Sequence, residues 1–157
     1  VITARREIAP DEIRESVSKF VDDEGAVLRA LQTIQEVFGY VPDAGLDVVA
    51  EICNVSRADV YGVFTFYSDF RSTPPAPNVL KLCIAEACQA NGSEALAEAF
   101  EIEMGLDVHA KTRLADVEIE PVYCLGNCAL GPAALVNGQL IGRVSVAKIQ
   151  DILGSGR

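Results

Sequence analysis

The sequence has no tryptophan, one histidine, one methionine, and only 13 lysines and arginines against 23 aspartates and glutamates in 157 residues. That shortage of cationic side chains leaves a net charge of −10. It excludes binding built on phosphate neutralisation, whether of nucleic acid or of an anionic membrane surface. No apolar run approaches the roughly 18–20 residues of a membrane span. Val1 to Arg6 carries no apolar signal core, so the expectation is a cytoplasmic chain. The single histidine, His109, excludes a Rieske-type centre, which takes two. The sequence shows no P-loop, no Gly-x-Gly-x-x-Gly after a strand, no Ser/His/Asp set and no paired carboxylates in a credible cleft. A nucleotide site or an active site on this chain alone is therefore not expected. What is present suffices for folding: half of the residues are hydrophobic and 23% are charged, unlike a disordered chain. The length suits one ordinary domain or two small ones.

A proline-rich stretch divides the chain. Ser72-Thr73-Pro74-Pro75-Ala76-Pro77 reads as a stiff linker, because proline fixes φ and removes a backbone donor. Residues 1–71 are helical in pattern. Pro10-Asp11-Glu12 opens one helix. Val27, Leu31, Ile34 and Phe38 repeat at helical spacing up to Gly39, Pro42-Asp43 starts a third helix, and Ser56 with Asp59 starts a fourth, running towards Phe70. The expectation here is a small helical bundle. After the linker the period changes. Val79–Ile84 reads as a strand, and Asn91-Gly92-Ser93-Glu94 as the start of a helix carrying Leu96, Phe100 and Met104. Val117–Tyr123 alternates like a half-exposed strand, with Pro121 marking an edge or a bulge. Ala133–Val136, Asn137-Gly138 and Gln139–Ile141 form a hairpin with a two-residue turn, and Val144–Leu153 a closing helix. The order β-α-β-β-α over 78–157 suits a thioredoxin-like domain, making the whole chain α+β.

Five cysteines in such a chain do not suggest a disulfide framework. Cys83 and Cys88 are separated by four residues, Cys124 and Cys128 by three, and Cys53 stands alone. Both pairs fall where loops leave predicted strands, so two loops at one end of a sheet can deliver four thiolates to one centre. Thiolate sulfur serves zinc and iron–sulfur clusters alike, and spacing alone leaves both open. Gly92, Gly126 and Gly131 beside these cysteines are expected to let backbone N–H groups approach the sulfurs. Cys53 shares an apolar helix face with Leu46 and Val49, so a place in the core is favoured for it. His109 is expected in a surface loop. Tyr61, Phe64, Phe66 and Tyr67 either form an interface patch or pack on the bundle, and their helical spacing favours packing.

The cysteine pattern, Cys-x4-Cys, 35 residues, then Cys-x3-Cys, resembles that of the thioredoxin-like [2Fe–2S] subunits of NADH-dehydrogenase modules. Cys124-Leu125-Gly126-Asn127-Cys128 with Gly131-Pro132, Gly39-Tyr40-Val41-Pro42, and Val60-Tyr61-Gly62-Val63-Phe64-Thr65-Phe66-Tyr67 are similar to the family's motifs, so the resemblance runs from about Gly25 to Leu153. Ala85–Ala90, Thr65–Arg71 and Tyr123 look most like the gamma subunit of soluble NAD-dependent formate dehydrogenase. Leu114, Val117 and Glu118 replace the Asp, Phe and Ser or Thr of many relatives and set the chain apart from the complex I branch. The resemblance implies one [2Fe–2S] cluster on Cys83, Cys88, Cys124 and Cys128. It implies a flavoprotein partner with FMN and NAD, and a molybdenum-containing partner that oxidises formate. The equivalent subunit of complex I or of an NAD-reducing hydrogenase is the alternative. A non-redox adaptor with a four-cysteine zinc site is the alternative of another class.

Overall fold

A computed structural model describes residues 8–21 and 23–154. The stretch Val1 to Arg6 therefore lies outside the described residues. The chain divides into two compact units, Val1–Pro75 and Ala76–Arg157. No described helix is long and apolar enough to cross a membrane.

Among its described residues the first unit holds four α-helices, α1 (Pro10–Val17), α2 (Val27–Phe38), α3 (Asp43–Ile52) and α4 (Arg57–Phe66). Their ends follow local chemistry. In α1 proline occupies the first turn, where no N–H is needed, with Asp11 and Glu12 at the positive end of the helix dipole. Gly39 adopts φ +82°, a conformation that costs glycine least, and stops α2. In α4 the Asp59 N–H donates to Ser56 Oγ and the Ser56 N–H to the Asp59 carboxylate, which satisfies two orphan donors. The buried faces meet in one core of Ile13, Val17, Leu31, Ile34, Val49 and Cys53, which Val60 of α4 joins.

The aromatic residues of α4 depart from expectation. Phe64 is partly buried and stacks on Phe70 at 5.8 Å between ring centroids. Tyr61, Phe66 and Tyr67, however, are exposed, Phe66 to 79%. The reason is geometric: Val60 and Val63 already fill the inward face, and α4 ends at Phe66, before Tyr67 and well short of Phe70.

The second unit is a five-stranded sheet in the order β2-β3-β1-β4-β5, formed by β1 (Asn78–Cys83), β2 (Arg113–Leu114), β3 (Val117–Val122), β4 (Ala133–Val136) and β5 (Gln139–Gly142). Helices α5 (Glu86–Gln89) and α6 (Ser93–Met104) follow β1, and α7 (Val146–Gly154) closes the unit. The hairpin turn is built by Asn137 (φ +51°) and Gly138 (φ +82°), both left-handed as a two-residue connection of this kind requires. Leu80, Leu82, Ile119, Ala134 and Phe100 are fully buried or nearly so, and Ile149 of α7 belongs to the same core.

Pro121 lies opposite Leu82 in the β1–β3 ladder and has no strand partner on its other side, because β2 stops after pairing with Val117 and Glu118, so it stands at a local sheet edge. The strand is not half-exposed by strict alternation, because Glu118 is buried beside Ile119 while Val117 and Val122 are only partly so: the Glu118 carboxylate accepts the Ala76 N–H at 2.8 Å.

One buried side-chain polar atom among the described residues has no hydrogen-bond partner, Ser93 Oγ at the start of α6. An unsatisfied buried hydroxyl costs about 1–3 kcal/mol. Ser93→Ala should therefore raise stability by about 1 kcal/mol in a denaturant titration, and a loss of similar size would show that the hydroxyl has a partner.

Candidate metal centre

The strand pairing explains how four distant cysteines meet. β1 and β3 run parallel with Cys83 opposite Val122, so both strands end together and the segments beyond them leave the sheet at the same end. The first carries Cys88 and the second Cys124 and Cys128. Cys88 sits in the one-turn helix α5 rather than in the expected loop, and Cys128 begins a short 3₁₀ turn, Cys128–Leu130. Cys124 itself takes φ +58°, and Gly126 follows at +75°, which folds the segment back within four residues.

Hydrogen bonds join the two segments at the sulfurs. Cys83 Sγ accepts the Ala85 N–H of its own segment and the Leu125 and Cys124 N–H groups of the other, while the Cys88 thiol bonds to it as well. Cys88 Sγ accepts the Ala133 N–H at the start of β4. Cys124 Sγ lies 3.9 Å from Cys128 Sγ. Cys83 and Cys88 are buried against Ala133, with Val122 and Leu125 packed beside them, whereas Cys124 and Cys128 are exposed. The four sulfurs therefore form an inner and an outer pair.

The same contacts set how readily each sulfur takes up charge. Burial opposes ionisation of Cys83, but the hydrogen bonds from Ala85, Cys88, Leu125 and Cys124 together outweigh it and lower this thiol below its ordinary value. Cys88 is pushed up by burial, by its hydrogen bond to Cys83 and by the negative sulfurs of Cys83 and Cys128. Cys128 is pushed up chiefly by Cys124, through both the hydrogen bond and charge repulsion. Four thiols packed this closely cannot all ionise unaided, since like charges disfavour one another. A cationic centre removes that penalty.

The donor set fits a two-iron core. Four soft thiolates in two pairs match two metal positions with two sulfurs each. Among the described residues no three His, Cys, Asp or Glu side chains are grouped as ligands of a single ion.

The other sequence candidates lie elsewhere. Cys53 is buried in the helical unit, with burial first and Asp23 second raising its thiol above the ordinary value. His109 is exposed, with Nε2 3.4 Å from Glu94 Oε2. The N–H donors to the sulfurs belong to Ala85, Leu125, Cys124 and Ala133, none of them glycine, although Leu125 directly precedes Gly126. Gly92 and Gly126 instead supply left-handed turns, and Gly131 gives room to Asn91, whose Cβ would lie 3.3 Å from a Cβ at 131. Sequence reasoning has no route to the four donors, because backbone groups carry no residue-type signal.

A sheet presenting two cysteine-bearing segments from one end defines a protein with a four-thiolate centre of the kind that soft metals and iron–sulfur clusters use. Residues 13–157 match the thioredoxin-like [2Fe–2S] ferredoxin family, and the chain belongs to it. Members of that family carry one [2Fe–2S] cluster. Among its relatives, the HndA component of the NADP-reducing hydrogenase of Solidesulfovibrio fructosivorans is 29% identical over 93% of this chain and 88% of its own length. A component of the NADH-quinone oxidoreductase of Rhizobium meliloti is 31% identical over 94% of this chain and 88% of its own. The fold also matches a chain of the NAD+-reducing [NiFe]-hydrogenase in its H2-reduced state, with a TM-score of 0.69, 20% identity and 84% of this chain covered. This chain spans 22% of the length of that hydrogenase chain.

Proposed function

We propose that this chain is the electron-transfer subunit of a soluble NAD-dependent formate dehydrogenase, holding its [2Fe–2S] cluster through Cys83, Cys88, Cys124 and Cys128 beside a flavoprotein that binds FMN and NAD. The observation that carries the cluster site is the inner and outer thiol pairs, tied across two segments by N–H donors on Cys83. When bound, the cluster takes up and passes on single electrons. Cys83 and Cys88 would hold it from the buried side, among Ala85, Val122, Leu125 and Ala133. The N–H groups of Ala85, Leu125, Cys124 and Ala133 place positive dipole ends against sulfur, which stabilises added negative charge there. Cys124 and Cys128 leave the outer side open to a partner. Formate and NADH give up electrons in pairs, and a flavin or molybdenum centre splits such pairs. This sequence holds no motif for either, so that chemistry falls to partner chains.

The formate assignment rests on the local resemblance at Ala85–Ala90, Thr65–Arg71 and Tyr123. A second reading, the equivalent subunit of an NAD(P)-linked hydrogenase or of complex I, is favoured by the names of the relatives, which are subunits of those enzymes. Isolating the native complex separates the two. A co-purifying molybdenum subunit is the expected result, and a nickel subunit or a quinone-reducing membrane arm would overturn it. The chain alone should be reduced by dithionite but not by NADH or formate, and adding the flavoprotein should connect it to NADH. Turnover of NADH or formate by the pure chain would contradict the proposal.

A further inference from the structure

The outer sulfur pair depends on a turn with little support of its own. Cys128 to Leu130 form a single 3₁₀ turn, closed by Leu130 N–H to Asn127 O at 3.0 Å and Gly131 N–H to Cys128 O at 3.2 Å. The turn rests on the end of β5. Arg143 N–H donates to Leu130 O at 2.7 Å, and Val144 N–H to Pro132 O at 3.0 Å. Gly142, the last residue of β5, lies just before these bonds and pairs with Ala133 across the hairpin. Its own carbonyl is held by Lys148 Nζ of α7 at 2.9 Å.

At Gly142 there is no room for a side chain. A Cβ there would stand 2.7 Å from Leu130 Cβ, 2.9 Å from Asn127 Nδ2 and 2.9 Å from Leu130 O. Two of these three atoms belong to the main chain or to its first side-chain carbon, so they cannot swing away. Gly142 does not adopt a left-handed φ; its need for glycine is spatial. The two neighbours it touches, Asn127 and Leu130, flank Cys128 in sequence. Gly105, by contrast, would meet only a leucine methyl at 3.5 Å, and Gly154 nothing within 4 Å.

We infer that Gly142 is a positioning residue for the cluster: the absence of a side chain lets the Asn127–Leu130 turn seat on β5, and that seat fixes where the Cys128 sulfur sits relative to Cys124. This rests on the reading of the four cysteines as cluster ligands. Adding a methyl group at 142 pushes the turn off the strand while leaving all four sulfurs, their chemistry and the N–H donors to Cys83 in the sequence. The inner pair, anchored on β1 and α5, stays in place. The cluster is then held by two well-placed and two displaced sulfurs.

The test compares Gly142→Ala with wild type and with Gly154→Ala, which adds the same methyl group in open space. In the wild-type chain, iron and sulfide content and the electron paramagnetic resonance of the dithionite-reduced protein first establish that a cluster is present; its absence there would defeat the proposed function and not this inference. Given that cluster, Gly142→Ala should shift the g-values and the midpoint potential and release iron to a chelator about 10-fold faster, as when a group that orients a metal ligand is lost. Gly154→Ala should match wild type in all three. Should Gly142→Ala not accumulate folded, Lys148→Met, which frees the Gly142 carbonyl from α7 and loosens the same end of β5, should move the g-values and iron release in the same direction by a smaller amount. Unchanged g-values, potential and iron release in folded Gly142→Ala would overturn the inference, as would an unchanged Lys148→Met where Gly142→Ala does not fold.

Discussion

Serine in place of Cys83, Cys88, Cys124 or Cys128, each variant alone, is expected to lower the iron content of the chain sharply, while Cys53→Ala leaves it unchanged. Loss of a group that merely orients a metal ligand costs about 10–100-fold in affinity, and loss of the ligand itself should exceed that. The four variants will not be alike. Cys83 gathers hydrogen bonds from both segments, so Cys83→Ser removes a ligand and also loosens the contact between the segments; it should show the lowest iron content. Cys128→Ser changes an exposed sulfur at the edge of the site and should leave the inner pair able to retain some iron under anaerobic reconstitution. Cys53 lies in the other unit, within the core of Ile13, Leu31 and Val49, and its replacement should alter stability without altering iron. Iron and sulfide analysis on the five variants decides the matter. Full iron in any of the four serine variants, or its loss in Cys53→Ala alone, would contradict the site.

The second large effect is on stability. Phe100 of α6 is fully buried and is the largest of the fully buried side chains among the described residues. It packs in one core with Leu80 and Leu82 of β1, Ile119 of β3 and Ala134 of β4. Phe100→Ala leaves a cavity that a β-sheet cannot collapse to fill, and such changes cost about 3–5 kcal/mol. Because β1 and β3 deliver both cysteine segments, the loss should appear twice: as a lower denaturation midpoint and as faster loss of iron to a chelator. Ile102 on the same helix is 84% exposed, so Ile102→Ala should change neither by much. A Phe100→Ala chain as stable as wild type would mean that α6 does not pack on the sheet as described.

Much of this architecture is legible in the sequence, and the exceptions share a cause. Helices announced by caps and breakers, such as Ser56 with Asp59 or Gly39 after Phe38, occur where the residues put them, because those side chains and that glycine make the ending bonds themselves. The Asn137-Gly138 hairpin likewise follows from two residues that tolerate positive φ. Short elements without a pattern are not legible. β2 has two residues, both exposed, and α5 a single turn; neither is long enough to show a period. The exposure of Tyr61, Phe66 and Tyr67 is hidden for the opposite reason, since aromatic residues at helical spacing look alike whether or not a neighbour covers them.

At the site, cysteine spacing discloses the four sulfurs, because residue type and chemistry coincide there. The parallel register that brings Cys83 level with Val122 is not readable, nor are the N–H donors, nor the close approach of Gly142 to Leu130. Each of those depends on where distant backbone runs. Gly92, Gly126 and Gly131 attract notice because they stand beside cysteines in the chain; Gly142, 14 residues beyond Cys128, stands beside the Cys128 turn only in space.

The central claim is that four thiolates hold a two-iron cluster, and the electron paramagnetic resonance spectrum of the anaerobically purified, dithionite-reduced chain tests it most directly. One reduced [2Fe–2S] centre has a single unpaired electron, so the account predicts a brown protein whose signal integrates to about one spin per chain. A colourless protein that stays silent on reduction and carries stoichiometric zinc would contradict it.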